Sequence, residues 1–261
     1  MIFRKRSNDK PGRPSLFWLA TEALRAVTET AVSYPYRYLT DCDTGDGHTV
    51  LVLPGFMASD ASTTHLRNYL NEIGYNAYGW EQGRNYANPE MINVLGEITE
   101  RLAAESGSKI SLIGWSLGGV YARQIAKARP ELVRQVITLA SPFRGISEPN
   151  NVAWIYNLIT GGQRVRDVED SLLADLPLPA PVPTTCIYSK QDGVVPWQYC
   201  MEAEEDSLHQ NIEVRSSHLG MANNPSVLKI ITNRLQYETE TWEHFYPGNV
   251  VEDLLLYPSF R

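Results

Sequence analysis

The chain has 261 residues, 43% hydrophobic and 20% charged, with a formal net charge of -7. That length and balance suit one large core, and the acidic total excludes the basic stripe of a general nucleic-acid binder. Three cysteines, Cys42, Cys186 and Cys200, show neither metal-ligand spacing nor a disulfide framework, which points to a reducing cytoplasm.

At the N-terminus Arg4, Lys5, Arg6, Lys10 and Arg13 stand against Asp9 alone. An apolar run over 16–20 follows, but Glu22 and Arg25 interrupt it and no small-residue cleavage site comes after, so a secretory signal is not expected. No apolar run is long enough to span a bilayer. The pattern predicts an amphipathic helix over about 15–32 behind a basic arm. Such a helix either packs on the domain or rests on an anionic membrane surface or partner, which makes the expected location cytoplasmic or peripheral at a membrane. Residues 34–47 are aromatic and turn-rich, and 50–53 is a continuous apolar run, as a strand buried on both faces should be. A helix over 59–73 is predicted next, with Ser59 or Asp60 as cap and Gly74 as stop.

Residues 76–80 are strand-like, 89–106 helical with Gly107 as the stop, and 109–113 a further strand leading into a helix over 117–128. The β-branched run 133–139 is another strand, and 184–188 and 211–215 are two more. The proline-rich stretch 176–183 is a stiff connector, and 225–235 a closing helix with Pro225 in its first turn. Strands alternating with helices imply a parallel sheet with right-handed crossovers, so functional residues should lie just beyond the carboxyl ends of strands.

The run from Ile110 to Ala122 contains Gly114-Trp115-Ser116-Leu117-Gly118 between a buried strand and a helix. This strand-turn-helix context is that of a nucleophile elbow, in which glycines relieve crowding around a strained serine and the helix N-terminus faces a developing oxyanion. Ser116 is the candidate nucleophile. A serine hydroxyl needs a base, and the base an orienting acid. His218 follows directly on the last strand candidate and is the candidate base, while Asp192, after the strand at 184–188, is the candidate acid. His48, His65, His209 and His244 sit in less suitable places, and Asp192-Gly193 also fits an ordinary turn. The oxyanion donors expected are the amides of Leu117 and of Phe56, where Gly55 permits an unusual backbone angle. Phe56, Met57 and Trp115 offer apolar substrate-binding surface, though Trp115 fits a core role equally well.

Taken together, these residues resemble the serine α/β-hydrolase superfamily, in stretches 51–60, 110–124, 136–142, 187–197 and 216–225. Within it the chain is similar to a bacterial lipase/esterase-like group, on Leu-Pro-Gly-Phe-Met-Ala-Ser-Asp at 53–60, Gly-Trp-Glu-Gln-Gly-Arg-Asn at 79–85 and Asp-Gly-Val-Val-Pro-Trp at 192–197. It departs from the family in its Pro-Gly-Phe oxyanion loop, where His-Gly is frequent, and in lacking the antiparallel strands that usually open the fold. The resemblance implies an α/β-hydrolase fold: a mostly parallel sheet with helices on both faces, a short cap and here an extra N-terminal helix. The expected division is an arm and helix over 1–47, the hydrolase domain over 48–236 with a cap at about 143–178, and a packed tail over 237–261. Trp154, Ile155, Tyr156 and Leu158 would line the lid, and Gly161-Gly162 would hinge it. The implied activity is hydrolysis of a small-molecule or lipid ester through an acyl-enzyme, with no metal or organic cofactor. An acyltransferase with the same triad and a non-catalytic binding protein are the alternatives.

Overall fold

Apolar runs become strands wherever both faces of the sheet are covered. β1 (Thr49–Leu53), β3 (Ile110–Trp115), β4 (Val133–Leu139), β5 (Thr184–Tyr188) and β6 (His209–Glu213) are buried along their whole length. Only β2 (Asn76–Gly79) alternates between exposed and half-buried, as an edge strand does. The computed structural model describes residues 12, 14–39, 44–144, 170–248 and 256–258. Within them the six strands form one sheet, ordered β2-β1-β3-β4-β5-β6, with every neighbouring pair parallel. The register sets Leu53 beside Gly114, Trp115 beside Leu139 and Tyr188 beside Glu213, so the carboxyl ends of the strands share one edge.

Helices cover both faces. Val50, Val52, Ile113, Ile137 and Ile187 meet Leu66, Tyr69 and Leu70 of α2 (Asp60–Glu72) and Val227, Leu228 and Ile231 of α6 (Pro225–Leu235). The alternate residues Leu51, Leu53, Leu112 and Val136 meet Leu95 and Leu102 of α3 (Met91–Ser106) and Val120 and Ile125 of α4 (Leu117–Ala128). A short α5 (Asp170–Asp175) precedes the proline-rich connector. Cys186 and Cys200 are free and buried, and burial pushes the Cys186 thiol up to about 12.

Most boundaries fall within two residues of the sequence expectation, and four differences have a physical reason. The N-terminal helix, α1 (Leu16–Leu39), runs past 32 and through Pro35, which forfeits one helical hydrogen bond without ending it. Ser59 stands at the N-cap of α2 without a side-chain cap bond, and the Asp60 carboxylate instead accepts from Trp80 N at 2.9 Å and Glu81 N at 3.0 Å, tying the helix to the end of β2. β3 continues to Trp115, directly into the serine. β6 begins two residues early, at His209, because its polar residues are paired when buried: Gln210 exchanges hydrogen bonds with the Phe245 backbone (2.9 and 2.7 Å) and Asn211 with that of Glu202 (3.2 and 2.7 Å).

The basic arm (Arg4, Lys5, Arg6, Lys10, Arg13), the lid residues Trp154, Ile155, Tyr156 and Leu158, the Gly161-Gly162 hinge and Cys42 lie outside the described residues. No helix among the described residues is long and apolar enough to cross a membrane.

Candidate active site

The strand-to-helix turn after β3 puts Ser116 at φ 52 and ψ -118, a conformation that costs a non-glycine residue roughly 1–3 kcal/mol. Its neighbours are glycine for steric reasons. A Cβ on Gly118 would stand 2.2 Å from the Leu53 carbonyl oxygen. One on Gly114 would meet the Gly119 backbone at 2.3 Å, and one on Gly119 the Ser141 hydroxyl at 2.0 Å. The elbow is thus wedged against the end of β1, and Ser116 N donates to the Leu139 carbonyl at 2.8 Å. Leu117, its successor, opens α4, whose positive dipole end faces the same space.

The loop after β1 abuts the serine. A Cβ on Gly55 would lie 3.2 Å from Ser116 Cβ, so the glycine lets the loop approach. Phe56 packs partly into the core and Met57, at φ 59, is 46% exposed at the mouth. Among the described residues, neither the Phe56 nor the Leu117 amide donates to a backbone acceptor, which leaves both able to meet an oxyanion. Asn85, fully buried, holds this loop: its Nδ2 donates to the Pro54 carbonyl at 2.9 Å, its carbonyl accepts from Met57 N at 2.7 Å, and its N–H donates to the Ala58 carbonyl at 2.8 Å. Asn85 has no assigned role in the sequence reading, although it closes the quoted 79–85 stretch.

Asp192 follows β5 and His218 follows β6, and the parallel register brings them together. Asp192 Oδ1 accepts from Val194 N (2.7 Å) and Val195 N (2.8 Å), which turns Oδ2 to His218 Nδ1 at 2.7 Å. A carboxylate can only accept, so the imidazole proton sits on Nδ1 and Nε2 carries the free lone pair. Burial works against the imidazolium, but the charge and hydrogen bond of Asp192, with the charge of Glu22, outweigh it and hold the His218 pKa above 6.5. Trp115 Nε1 donates to the His218 carbonyl at 3.0 Å, which seats the histidine loop beside the turn that carries Ser116. Trp115 is only 9% exposed and joins the core, with its ring centroid 6.0 Å from that of His218.

A histidine–aspartate contact alone would not select this pair. His48 Nδ1 meets Asp46 at 2.5 Å and its Nε2 meets Ser111 Oγ at 2.9 Å, a second Asp-His-Ser chain. His209 Nδ1 meets Asp206 at 2.8 Å. Both sit at the amino edge of the sheet, His48 just before β1 and His209 at the start of β6. Ser111 is fully buried within β3, next to a register shift against β4, and no helix N-terminus stands behind it. His65 instead bonds Ser33 of α1 at 2.7 Å.

α1 enters the site through its acidic side chains. Glu22 Oε1 accepts from Gly193 N at 2.8 Å and Glu22 Oε2 from Leu219 N at 3.0 Å. Glu29 accepts from Ser217 N (2.8 Å), Ser216 Oγ (2.9 Å) and Ser217 Oγ (3.1 Å). Burial raises the Glu29 pKa above 4.5 against the pull of these donors. Glycines make room for the helix: a Cβ on Gly193 would meet Leu19 N at 2.3 Å, and one on Gly220 would meet the Glu29 carboxylate at 2.0 Å. Sequence reading notes Glu22 only as a break in an apolar run; the glycines after the acid and the base are the faint signal of a helix packed there.

Six parallel strands, helices on both faces and a serine on a sharp turn after β3 make this the α/β-hydrolase fold. Similar solved structures are Aspergillus fumigatus lipase B (TM-score 0.57, 16% identity, 77% of this chain and 55% of that one) and Paleococcus ferrophilus monoacylglycerol lipase (TM-score 0.52, 17% identity, 74% and 95%). Residues 90–167, which include Ser116 but neither Asp192 nor His218, match the family described as "Putative serine esterase (DUF676)". The chain is 43% identical over 47 residues to the pimeloyl-(acyl-carrier protein) methyl ester esterase of Yersinia pseudotuberculosis, a match spanning 18% of each protein.

Proposed function

We propose that the protein is a serine hydrolase that cleaves carboxylic esters through an acyl-enzyme intermediate. The observation that carries this reading is the Asp192–His218 hydrogen bond beside a serine held at positive φ on a helix N-terminus. Ser116 Oγ attacks the ester carbonyl carbon as His218 Nε2 takes its proton, while Asp192 keeps the ring in the productive tautomer and stabilises the imidazolium. The amides of Phe56 and Leu117 meet the oxyanion, His218 returns the proton to the leaving alcohol, and water then releases the acyl group as an acid. Met57 and the exposed part of Phe56 form the apolar surface for the acyl chain, which favours lipidic or medium-chain esters, while Trp115, expected there from sequence, is core beneath the site. The esterase and lipase names of the similar proteins support the same chemistry.

A fluorophosphonate probe tests it. Labelling should occur at Ser116 and vanish in Ser116→Ala, with p-nitrophenyl ester hydrolysis falling by about 10³-fold or more while the fold persists. Folded wild-type protein that takes up no probe refutes the reading. An acyltransferase differs only in the acceptor, and supplying alcohols and amines alongside water separates the two.

The polarity of α1 favours a peripheral membrane contact. Its polar side, with Glu22 and Ser33, is buried, while Leu16 (80%), Phe17 (64%), Leu24 (71%) and Val27 (67%) are exposed. An apolar helix face beside a site for acyl esters, preceded by five basic residues, fits docking from the cytoplasm on an anionic leaflet. Vesicle binding should weaken with salt and disappear when residues 1–32 are deleted; binding unaffected by either change refutes the docking.

A further inference from the structure

β5 and β6 stop pairing at Tyr188 and Glu213, yet Asp192 and His218 must meet some residues further on. The irregular backbone between those points and the contact needs its own fastening. Part comes from Ser189 Oγ, which accepts from Ser216 N at 3.2 Å. A further part comes from a helix distant in sequence. The two oxygens of Glu22 each take one N–H: that of Gly193, which follows the acid, and that of Leu219, which follows the base. The side chain is 4% exposed and its charge is balanced by Arg25 NH2 at 2.9 Å. Arg25 is fixed in turn to the Trp18 carbonyl at 3.0 Å. Gly193 admits the α1 backbone where any side chain would collide.

We propose that Glu22 is a positioning residue for the Asp192–His218 pair, clamping the acid loop to the base loop. This rests on the serine hydrolase reading above. A carboxylate fits the task because it presents an acceptor to both amides; a carboxamide has one acceptor, and turns N–H toward N–H at the other. Loss of either bond frees one loop, and the near-attack geometry of His218 loosens with it.

The test is Glu22→Gln in the full chain, assayed on a small p-nitrophenyl ester. kcat should fall about tenfold, as expected for one lost charge-assisted hydrogen bond, with KM within about twofold. The acid limb of the pH–rate profile should move to lower pH, because a negative charge facing the imidazolium has gone; Asp192, Glu29 and Arg25, the other charged groups there, are unchanged. Ser33→Ala is the comparison, since it removes an α1 bond to His65, about three helical turns from Glu22 and with no partner in either loop. It should lower Tm and leave both kcat and the acid limb in place. If Glu22→Gln does not fold, Glu22→Asp, which keeps the charge but is too short to reach both amides, should show the fall in kcat. Wild-type kcat and acid limb in Glu22→Gln overturn the proposal, as does an equal loss in Ser33→Ala. A wild-type protein that neither hydrolyses ester nor labels at Ser116 refutes the hydrolase reading itself, whereas an active wild type with an indifferent Glu22→Gln refutes only the positioning role.

Discussion

Replacing Asp192 by asparagine reverses a single proton, and the surrounding backbone decides which way. Oδ1 is held by two N–H donors, Val194 at 2.7 Å and Val195 at 2.8 Å, so the asparagine carbonyl must take that place. Its NH2 then stands where Oδ2 was, 2.7 Å from His218 Nδ1, and donates. Nδ1 becomes an acceptor, the ring proton moves to Nε2, and the nitrogen facing the nucleophile can no longer take a proton. Turning the amide over would set its NH2 against both valine donors and so offers no escape. Loss of the productive tautomer lowers kcat by about 10⁴-fold in a triad of this kind, or about 5 kcal/mol of transition-state stabilisation. Stability should fall by only about 1.5–3 kcal/mol, since shape and the Oδ1 bonds persist. The assay is kcat/KM on a p-nitrophenyl ester, with Tm measured in parallel. A folded Asp192→Asn protein within tenfold of wild type would show that this histidine is not the base.

With a His218 pKa above 6.5, kcat/KM should rise with pH through a midpoint above 6.5, and a midpoint below that value contradicts the Asp192 pairing. The same shift acts oppositely on stability: the folded protein holds the proton more tightly than the unfolded chain. Its contribution is full below 6.5 and lost as pH rises through the folded pKa, a slope that thermal melts should find reduced in Asp192→Asn. Ser111→Ala should cost about 1–3 kcal/mol by stranding His48 Nε2 yet leave the specific activity unchanged; loss of activity in folded protein would reinstate the second Asp-His-Ser chain. Gly118→Ala drives a methyl into the Leu53 and Pro54 carbonyls at 2.2 and 2.9 Å, so about 1–3 kcal/mol of stability and most of the activity should go together, as melts and ester assays will report. Unchanged activity there would mean that the elbow and the Phe56 loop do not share a packed contact.

The parts of the molecule legible in sequence are those whose cause is local. Val133–Leu139, Thr184–Tyr188, Leu117–Ala128 and Pro225–Leu235 match their expected bounds because apolar runs, β-branching and caps act over neighbouring residues. β6 begins two residues before its expected start because His209 and Gln210 look like loop residues until their distant partners are known. Glu22 is illegible in sequence for the same reason. An acidic residue in an apolar stretch suggests solvent, and only the amides of Gly193 and Leu219 explain its burial.

By itself the sequence determined the alternation that makes the sheet parallel, the elbow glycines around Ser116, and the order in which Ser116, Asp192 and His218 follow strand ends. These are short-range patterns, and strand order carries them to one edge of the sheet. Tertiary structure alone decided which histidine–aspartate contact shares the carboxyl edge with Ser116, since His48 and His209 have equally close aspartates at the opposite edge. It also decided that α1 turns Glu22 and Glu29 inward and leaves Leu16, Leu19 and Leu24 exposed, an inversion no periodicity can reveal because either face of an amphipathic helix can turn inward when the receiving surface offers unpaired N–H groups.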